Sequence, residues 1–241
     1  EDYDLWNKTS LHFSGGFGVQ DFDFYSGVNW RVIDQLVTPP EYAGKYTHFY
    51  KTEEPQSDYG PYDRDFIRER IDDGGVFISY IGHSGTQTWD NGISESKQLR
   101  NGRDRATLLT DFGCSTAKFA EPDIHSFSEL FVSTGDDNHA IGYIGNAAAG
   151  FENTLITTPG FFYGLLLRDH VYRVGDAHRL TKREVIDKYG ESITNNVSVQ
   201  TNTLIGDPLV EIALPKLPNP VIAFNWMRSE DVIVTDRMDT V

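Results

Sequence analysis

The sequence predicts an α/β fold, in which helices alternate with the strands of a central sheet. Three short apolar runs, rich in β-branched and aromatic residues, each lead into glycine; they cover residues 76–81, 106–113 and 140–145. Segments with apolar residues at helical spacing precede or follow these runs, and this alternation is typical of α/β proteins. The 241 residues suffice for one substantial core, or for one core and a partial second domain.

Charge and composition argue against several classes of partner. The chain carries 21 Lys and Arg against 36 Asp and Glu, a net charge of −15, which disfavours nucleic acid and anionic membranes. Its apolar runs are far shorter than the roughly 20 residues of a membrane span, so we expect no transmembrane segment. The opening EDYDLW lacks the features of a signal peptide, so we expect a mature segment or a piece of a longer protein. A single cysteine excludes an intrachain disulfide.

In residues 11–75, the pattern of apolar residues indicates helices more clearly than strands. Residues 11–18, LHFSGGFG, are glycine-rich without the lysine of a phosphate-binding loop, and they predict a turn. Residues 22–37 predict a helix with mostly apolar side chains near one face. That face contains Phe24, Val28, Arg31, Ile33 and Leu36. Residues 38–61 predict a loop with a short strand at 46–50, and residues 62–75 predict a helix.

Strands alternate with helices in the rest of the chain. Val76 to Ile81 and Ala106 to Ser115 predict two buried strands, separated by a polar loop, and residues 139–150 predict a third. Between the last two, Ser126 followed by Glu129 forms a capping-box pattern, which predicts the start of a helix.

Two further helices and a closing strand are predicted after them. Residues 158–171 predict a buried helix with Pro159 in its first turn, and residues 175–190 predict an amphipathic helix that ends at Gly190. Residues 204–214, LIGDPLVEIAL, predict the closing strand. From Pro215 onward, proline punctuation predicts a linker into the first strands of a β module.

Two residues that can carry chemistry follow the first two of these strands. His83 lies in Gly-His-Ser-Gly and Cys114 in Gly-Cys-Ser. A thiolate nucleophile needs a nearby imidazole, and residues just beyond neighbouring strand ends can share one cleft. The glycines let backbone N–H groups approach a substrate carbonyl, as an oxyanion hole requires. From spacing alone, a catalytic His–Cys pair is about as well supported as the alternative of an inert core cysteine and a histidine in a turn.

Neither a metal nor a cofactor is expected from the other polar residues. His125, His139, His170 and His178 lack regular ligand spacing. Oxygen-rich loops could hold a structural calcium ion, although solvated turn residues are the simpler interpretation. These loop residues are Asp90, Asn91, Asp136 and Asp137.

The order of motifs over about residues 60–214 resembles the gingipain family of cysteine peptidases, and more distantly the related type IX secretion sortases. The resemblance rests on the two strand-end motifs, on AIGYIGNAA and LIGDPLVEIAL, and on scattered single residues. These residues are Trp89, Leu99, Asn101, Phe119, Pro122, Ser126 and Glu129. It implies a caspase-like three-layer sandwich, with a mainly parallel sheet between helices and an immunoglobulin-like module after it.

The resemblance also implies the roles of individual residues. By position, His83 is the catalytic histidine, Cys114 is the nucleophile, and the backbone N–H groups of Ser84 and Cys114 form the oxyanion hole. The family usually has Gly-His-Gly-Ser where this chain has Gly-His-Ser-Gly. The family's catalytic domain also has an N-terminal subdomain, which can supply an acid to orient the histidine. The residues before His83 in this chain are too few to form it. Either the chain is part of a processed or truncated protein, or the enzyme works without that element.

The resulting hypothesis divides the chain into a catalytic portion, residues 1–214, and the start of a β module, residues 215–241. It describes a secreted or cell-surface cysteine endopeptidase that acts on polypeptides and belongs to a larger precursor. The substrate pocket is expected around the third strand and the turn after His83, and an acidic residue in it could select a basic side chain. The pocket residues are Trp89, Ile144, Gly145, Asn146 and Glu152.

Two alternatives remain open. One is a type IX secretion sortase, a transpeptidase, although that subgroup has Cys-Glu-Phe-x-Arg-Phe where this chain has CSTAKF. The other is an inactive binding or scaffold domain, which the unusual position of Ser84 favours.

Overall fold

The computed structural model describes residues 5–52, 64–91, 105–133 and 140–214. Several predictions lie outside these residues: the linker and β module at 215–241, and the loop positions Leu99, Asn101, Asp136 and Asp137. Within the described residues, no helix has the length and apolar character needed to cross a membrane.

A six-stranded sheet in the order β2-β1-β3-β6-β7-β8 forms the centre of the described structure. The first five strands in this order run parallel, and β8 pairs antiparallel with β7. Its strands are β1 (Thr9–Ser14), β2 (Lys45–Tyr50), β3 (Phe77–Ile81), β6 (Thr107–Phe112), β7 (Ala140–Asn146) and β8 (Asn202–Gly206). A small antiparallel hairpin, β4 (Ser84–Gly85) and β5 (Thr88–Trp89), follows β3. The sequence prediction of a mainly parallel sheet is confirmed.

Helices cover both faces of this sheet and make it the middle of three layers. The helices are α1 (Val19–Val32), α2 (Arg64–Asp73), α3 (Phe127–Val132), α4 (Glu152–Leu167), α5 (Val174–Tyr189) and α6 (Ile193–Thr201). A 3-10 turn at Leu5–Lys8 precedes β1, and a π-helical turn at Ile33–Val37 extends α1. One core cluster packs α1, α4 and α5 against the sheet, and a second packs α2 and α3 against the other face.

Strand β3 shows why the apolar runs are continuous rather than alternating. All five of its residues are buried. Phe77 and Ile81 belong to the core beneath α1 and α4, whereas Ile78 and Tyr80 belong to the core beneath α3. A parallel strand covered on both faces favours apolar side chains on both of them, which explains why four of the five residues are apolar or aromatic and Ser79 is the exception.

Strand β1 is the main difference between the predicted and observed elements. The prediction of a turn for residues 11–18 is wrong for its first half, because Leu11 to Ser14 lie inside the sheet. Five of its six residues are buried, although the strand alternates apolar with polar residues. Its polar side chains find internal partners: Ser10 Oγ lies 2.9 Å from His12 Nε2, and Ser14 Oγ lies 2.8 Å from His48 Nε2.

Helix α4 begins six residues before the predicted start at Thr158, and Pro159 lies inside the helix. Threonine hydroxyls bond to carbonyls one turn earlier in this region; Thr158 Oγ1, for example, donates to the Thr154 carbonyl at 2.6 Å. Helix α6 was not predicted, because its sequence ITNNVSVQT is polar. The closing strand β8 begins and ends earlier than the predicted range 204–214.

Candidate active site

The carboxyl ends of β1, β3 and β6 meet at one edge of the sheet. The registers pair Ser14 with Ile81 and Ile81 with Phe112, so the three strands end at the same level. The turn after β1, the His83 turn and the Cys114 loop therefore emerge side by side. This is the edge at which α/β proteins place ligand-binding and catalytic groups.

A cavity of about 420 Å³ opens at this edge. It is lined from the start of α1 by Asp21 and Tyr25, from the strand ends by His83 and Cys114, and from the start of α4 by Glu152. The structure therefore brings the predicted histidine and cysteine to one cavity. Two carboxylates that lie far apart in the sequence share it.

The imidazole of His83 is held from three sides. Its Nε2 lies 3.2 Å from Oδ2 of Asp21. The Phe17 ring stacks on it with 4.6 Å between centroids and 9° between planes, and the Tyr25 ring meets it edge-on at 5.5 Å. These contacts fix both the plane and the direction of the ring, which still leaves 41 % of the side chain exposed.

Asp21 is itself positioned by the turn that precedes it. The Phe17 N–H donates to Asp21 Oδ2 at 3.1 Å, the same oxygen that faces His83. The bond from Phe17, followed by the interaction with His83, lowers the pKa of the Asp21 carboxyl below its ordinary value, although partial burial opposes this. The carboxylate is therefore ionised at neutral pH and favours an Nε2–H tautomer of His83.

Cys114 is a free cysteine of intermediate exposure. The Gly150 N–H, from the loop before α4, points to its Sγ at 3.3 Å. The next residue, Ser115, has a φ of 61°, an uncommon left-handed conformation for a residue other than glycine. The cysteine thus lies in a sharp turn that begins as soon as β6 ends.

The side chain of Ser84 is bonded to the backbone of the cysteine. Ser84 Oγ accepts a hydrogen bond from the Cys114 N–H at 2.5 Å and donates one to the Cys114 carbonyl at 2.8 Å. The Cys114 N–H, expected to serve an oxyanion hole, therefore has a partner inside the protein. The Asp90 N–H donates to the His83 carbonyl, so His83 and Asp90 form a hydrogen-bonded pair. The next pair, Ser84 and Trp89, is then a non-hydrogen-bonded pair, and the Ser84 N–H points away from β5.

Asp111, at the end of β6, is a buried carboxylate that holds the cysteine loop. Its Oδ1 accepts the Gly113 N–H at 2.6 Å, and its Oδ2 accepts Trp89 Nε1 at 2.8 Å and the Tyr143 hydroxyl at 3.0 Å. The Thr116 hydroxyl also donates to Oδ2. Burial raises the pKa of Asp111 to about 6, although these four donors oppose the shift.

A chain of buried amides supports the same loop from the other side. Asn146 Nδ2 donates to the Gly113 carbonyl at 2.7 Å, and Asn202 Nδ2 donates to Asn146 Oδ1 at 2.9 Å. His178 Nε2, on α5, lies 2.8 Å from Asn202 Oδ1. The residue before the cysteine is therefore tied to β7, β8 and α5.

Of the residues predicted for the substrate pocket, the structure places only Glu152 on the wall of this cavity. Trp89 is buried between Tyr80 and Phe127, and Ile144 and Gly145 belong to buried β7. Asn146 is also buried and supports the Gly113 carbonyl. The four residues lie under the site instead of facing the cavity.

The residues considered for calcium have protein partners where they are described. Asp90 Oδ2 accepts the Gly16 N–H at 2.8 Å and lies 3.8 Å from Lys51 Nζ, and Asn91 Nδ2 donates to the Ser14 carbonyl at 2.7 Å. Among the described residues, no group of three or more His, Cys, Asp or Glu side chains is arranged to hold a metal ion.

Asp21 is the functional candidate that sequence reasoning missed. It lies 62 positions before His83 and follows a segment predicted as a turn. The sequence signal that could have revealed it is the alternation of polar and apolar residues in β1, which is typical of a strand. A strand at that position, paired with β3, places the SGGFG turn and Asp21 at the sheet edge that carries His83.

Comparisons with known proteins support the reading of the fold. Residues 1–213 match the profile of peptidase family C25, whereas no curated protein sequence gives a significant match. The structure is similar to the Arg-specific cysteine proteinase gingipain R (RgpB), with a TM-score of 0.66 and 16% identity over 87% of this chain and 48% of that one.

Two further solved structures agree. A complex of the Porphyromonas gingivalis RgpB pro- and mature domains matches with a TM-score of 0.65 and 15% identity, over 89% of this chain and 50% of that one. A structure described as a protease matches with a TM-score of 0.68 and 13% identity, over 88% and 49%. The chain spans about half the length of these relatives. The family profile and the shared caspase-like fold together show that the chain belongs to peptidase family C25, the gingipain family of cysteine peptidases.

Proposed function

We propose that the chain is the catalytic portion of a secreted or cell-surface cysteine endopeptidase. The observation that carries the proposal is that His83 and Cys114 line one cavity at the carboxyl ends of β3 and β6, with Asp21 hydrogen-bonded to the histidine. A thiol, an imidazole and an orienting carboxylate are the three groups that a thiol peptidase needs.

The arrangement assigns each group a step. With its Nε2–H directed to Asp21, His83 has Nδ1 left to take the proton of the Cys114 thiol. The thiolate attacks the peptide carbonyl carbon, and the carbon–oxygen π bond opens to an oxyanion. When the oxyanion collapses, the carbon–nitrogen bond breaks and His83 returns the proton to the departing amine. Water, deprotonated by His83, then hydrolyses the thioester and restores the thiol.

Backbone groups support the charges that develop. The Gly150 N–H, directed at Sγ, stabilises negative charge on the sulfur. The N–H groups of Ser84 and Cys114 are the proposed donors to the oxyanion. Gly113 keeps this region open, because a Cβ there would collide with the Ser84 hydroxyl and lie 2.8 Å from the Gly82 carbonyl oxygen.

Glu152 is proposed to favour a basic substrate residue on the amino side of the cleaved bond. It is an exposed carboxylate on the cavity wall that holds Cys114, and one structural relative is described as Arg-specific. Glu152→Gln should lower kcat/KM for a peptide cleaved after arginine and leave cleavage after a neutral residue nearly unchanged. An equal loss on both peptides would refute the assignment.

The whole protein is proposed to be larger than this chain. The chain spans about half of its structural relatives, and one of them was solved as a complex of a pro-domain with a mature domain. We therefore propose an additional N-terminal subdomain and C-terminal β modules as its covalent or folding partners, with a polypeptide as substrate.

A second candidate is a degenerate peptidase domain that binds polypeptides without cleaving them. One observation favours it: in this structure the Cys114 N–H is bonded to Ser84 Oγ instead of facing the cavity as a free donor.

Alkylation separates the two candidates, because Cys114 is the single cysteine. The purified chain is incubated with a peptide library, before and after treatment with iodoacetamide, and the products are identified by mass spectrometry. The peptidase proposal expects cleavage that alkylation abolishes and that Cys114→Ala and His83→Ala lack. Cleavage that persists at the untreated rate after complete alkylation would exclude the dyad. Peptide binding without cleavage would favour the second candidate.

A further inference from the structure

The Ser84 hydroxyl and the Cys114 N–H link the two catalytic loops by a direct hydrogen bond. We propose that Ser84 Oγ occupies the oxyanion hole of the substrate-free chain and must rotate away before a substrate oxyanion can bind there. Ser84 is then a positioning residue that weakens oxyanion binding by competing for this hole. The inference rests on the proposed cysteine-peptidase function.

The distances place the hydroxyl where an oxyanion would lie. An oxyanion is stabilised by N–H donors about 2.7–3.1 Å away. Ser84 Oγ lies 2.5 Å from the Cys114 nitrogen, so it fills the acceptor position of that donor. The substrate oxygen and the serine oxygen cannot bond to the same N–H in the same direction, and one must displace the other.

The hydroxyl is held there by a second bond. Ser84 Oγ donates to the Cys114 carbonyl at 2.8 Å, so one side chain satisfies both backbone groups of the nucleophile. Gly113 provides the space, because a Cβ at that position would collide with the Ser84 oxygen and lie 2.8 Å from Asp111 Oδ1. The closed arrangement is therefore packed on both sides.

Opening requires only a side-chain rotation. Ser84 belongs to β4 and pairs with Trp89, so its extended backbone is fixed by the hairpin. Rotation about the Cα–Cβ bond moves Oγ away from the Cys114 nitrogen without moving that backbone. It leaves the Cys114 N–H free, and the Ser84 N–H already points away from β5.

A peptide aldehyde tests this directly, because its adduct needs an oxyanion hole whereas simple alkylation does not. Cys114 Sγ adds to the aldehyde carbon, the carbon–oxygen π bond becomes a single bond, and the thiol proton passes through His83 to the new hemithioacetal oxygen. Iodoacetamide instead transfers its carbon to Sγ with loss of iodide, and no oxyanion forms.

The experiment compares the parent chain with Ser84→Ala, Ser84→Thr and Ser133→Ala. Ser133 is the matched control, since its hydroxyl donates to the Glu129 carbonyl one turn earlier, on α3. Inhibition constants are measured for tripeptide aldehydes ending in arginine, alanine or phenylalanine, and rates of alkylation are measured with iodoacetamide. Ser84→Ala should bind the best aldehyde about tenfold more tightly than the parent, at an unchanged alkylation rate. Ser84→Thr, which keeps the hydroxyl, should bind it as weakly as the parent.

The other outcomes overturn the inference in distinguishable ways. If the parent cleaves peptides but Ser84→Ala binds aldehydes equally or less tightly, the hydroxyl does not obstruct the hole. If no aldehyde binds any variant although iodoacetamide alkylates Cys114, the proposed peptidase fails and this inference fails with it. Should Ser84→Ala not fold, a crystal structure of the parent adduct decides: Ser84 Oγ displaced from the Cys114 nitrogen supports the inference, and Oγ still bonded to it refutes it.

Discussion

Asp21 and His83 lie 62 positions apart in the sequence, yet their Oδ2 and Nε2 atoms are separated by 3.2 Å. The contact exists because β1 and β3 are neighbours in the sheet and their carboxyl ends coincide. The described residues therefore include an acid placed to orient the histidine, a role that the family resemblance had linked to an N-terminal subdomain.

The first prediction concerns this acid. Asp21→Asn keeps the shape of the side chain but removes the charge that stabilises the protonated imidazole. We expect kcat to fall about 10- to 100-fold with little change in KM, a part of what general acid–base catalysis contributes. Steady-state kinetics on a cleaved peptide measure the effect. Asp23→Asn, an exposed acid on the same helix, is the matched control, and an equal loss in both variants would contradict the assignment.

The second prediction concerns Phe17, whose ring is 76% exposed but stacks on His83. Phe17→Ala should lower kcat about tenfold, because the imidazole loses one of the surfaces that fix its plane. The free energy of unfolding should change by less than about 0.5 kcal/mol, as at other exposed positions. Phe17→Tyr retains the ring and should retain activity. Ile193→Ala, at an exposed position of α6, serves as the control; loss of stability together with activity in Phe17→Ala would indicate a structural role instead.

The third prediction concerns Asp111. Asp111→Asn retains one acceptor oxygen and places an NH₂ group against a backbone or side-chain donor. We expect the free energy of unfolding to fall by about 2 kcal/mol or more, because a buried donor loses its partner. Urea denaturation measures the change. Asp34→Asn, an exposed acid after α1, should leave stability unchanged, and a neutral result at Asp111 would show that its donors find other acceptors.

The fourth prediction is that stability falls on acidification below pH 6. Burial lowers the pKa of His12 and His178 to about 4 and that of His48 to about 3, so these residues stay neutral in the folded state where they would be protonated in the unfolded state. The unfolded state then binds three more protons near pH 5, whereas Asp111, with its raised pKa, makes the folded state bind one more.

The net difference of two protons gives a slope of about 2.7 kcal/mol per pH unit, with stability increasing as pH rises. Chemical denaturation at pH 7, 6, 5.5 and 5 measures it. A His48→Gln variant should reduce the slope by about 1.4 kcal/mol per pH unit, since one titrating group is removed. A flat profile across this range would show that the three histidines are not buried in neutral form.

The sequence predicted the parts of the fold that depend on burial of apolar residues. Strands β3 and β6 were recognisable because both of their faces are buried and each contains consecutive large apolar residues, Phe77-Ile78 and Leu108-Leu109. Strand β1 was not, because four of its six residues, TSLHFS, are polar, and Ser14 among them is satisfied by tertiary partners, His48 and Asn29. Pairing of buried polar groups depends on tertiary structure, which a local pattern cannot show.

Site residues could be predicted only where a chemically reactive side chain directly follows a strand that the sequence reveals. His83 and Cys114 were named because each follows an apolar strand, and the structure places both on one cavity. Asn146 was named for the pocket because the strand after the nucleophile borders the cleft in the fold that the resemblance implies, but its side chain donates to the Gly113 carbonyl. Trp89, named from the turn after His83, donates to Asp111. A position on an element that borders the cleft does not distinguish a residue that faces the cavity from one that supports it.

The amide chain from Gly113 through Asn146 to Asn202 also sets an order of events during synthesis. Cys114 is synthesised 88 residues before Asn202, the residue of β8 that bonds to Asn146. A nascent chain thus carries its thiol well before the strand that steadies the neighbouring carbonyl exists. The cysteine loop reaches its final support only when most of the domain has already been made.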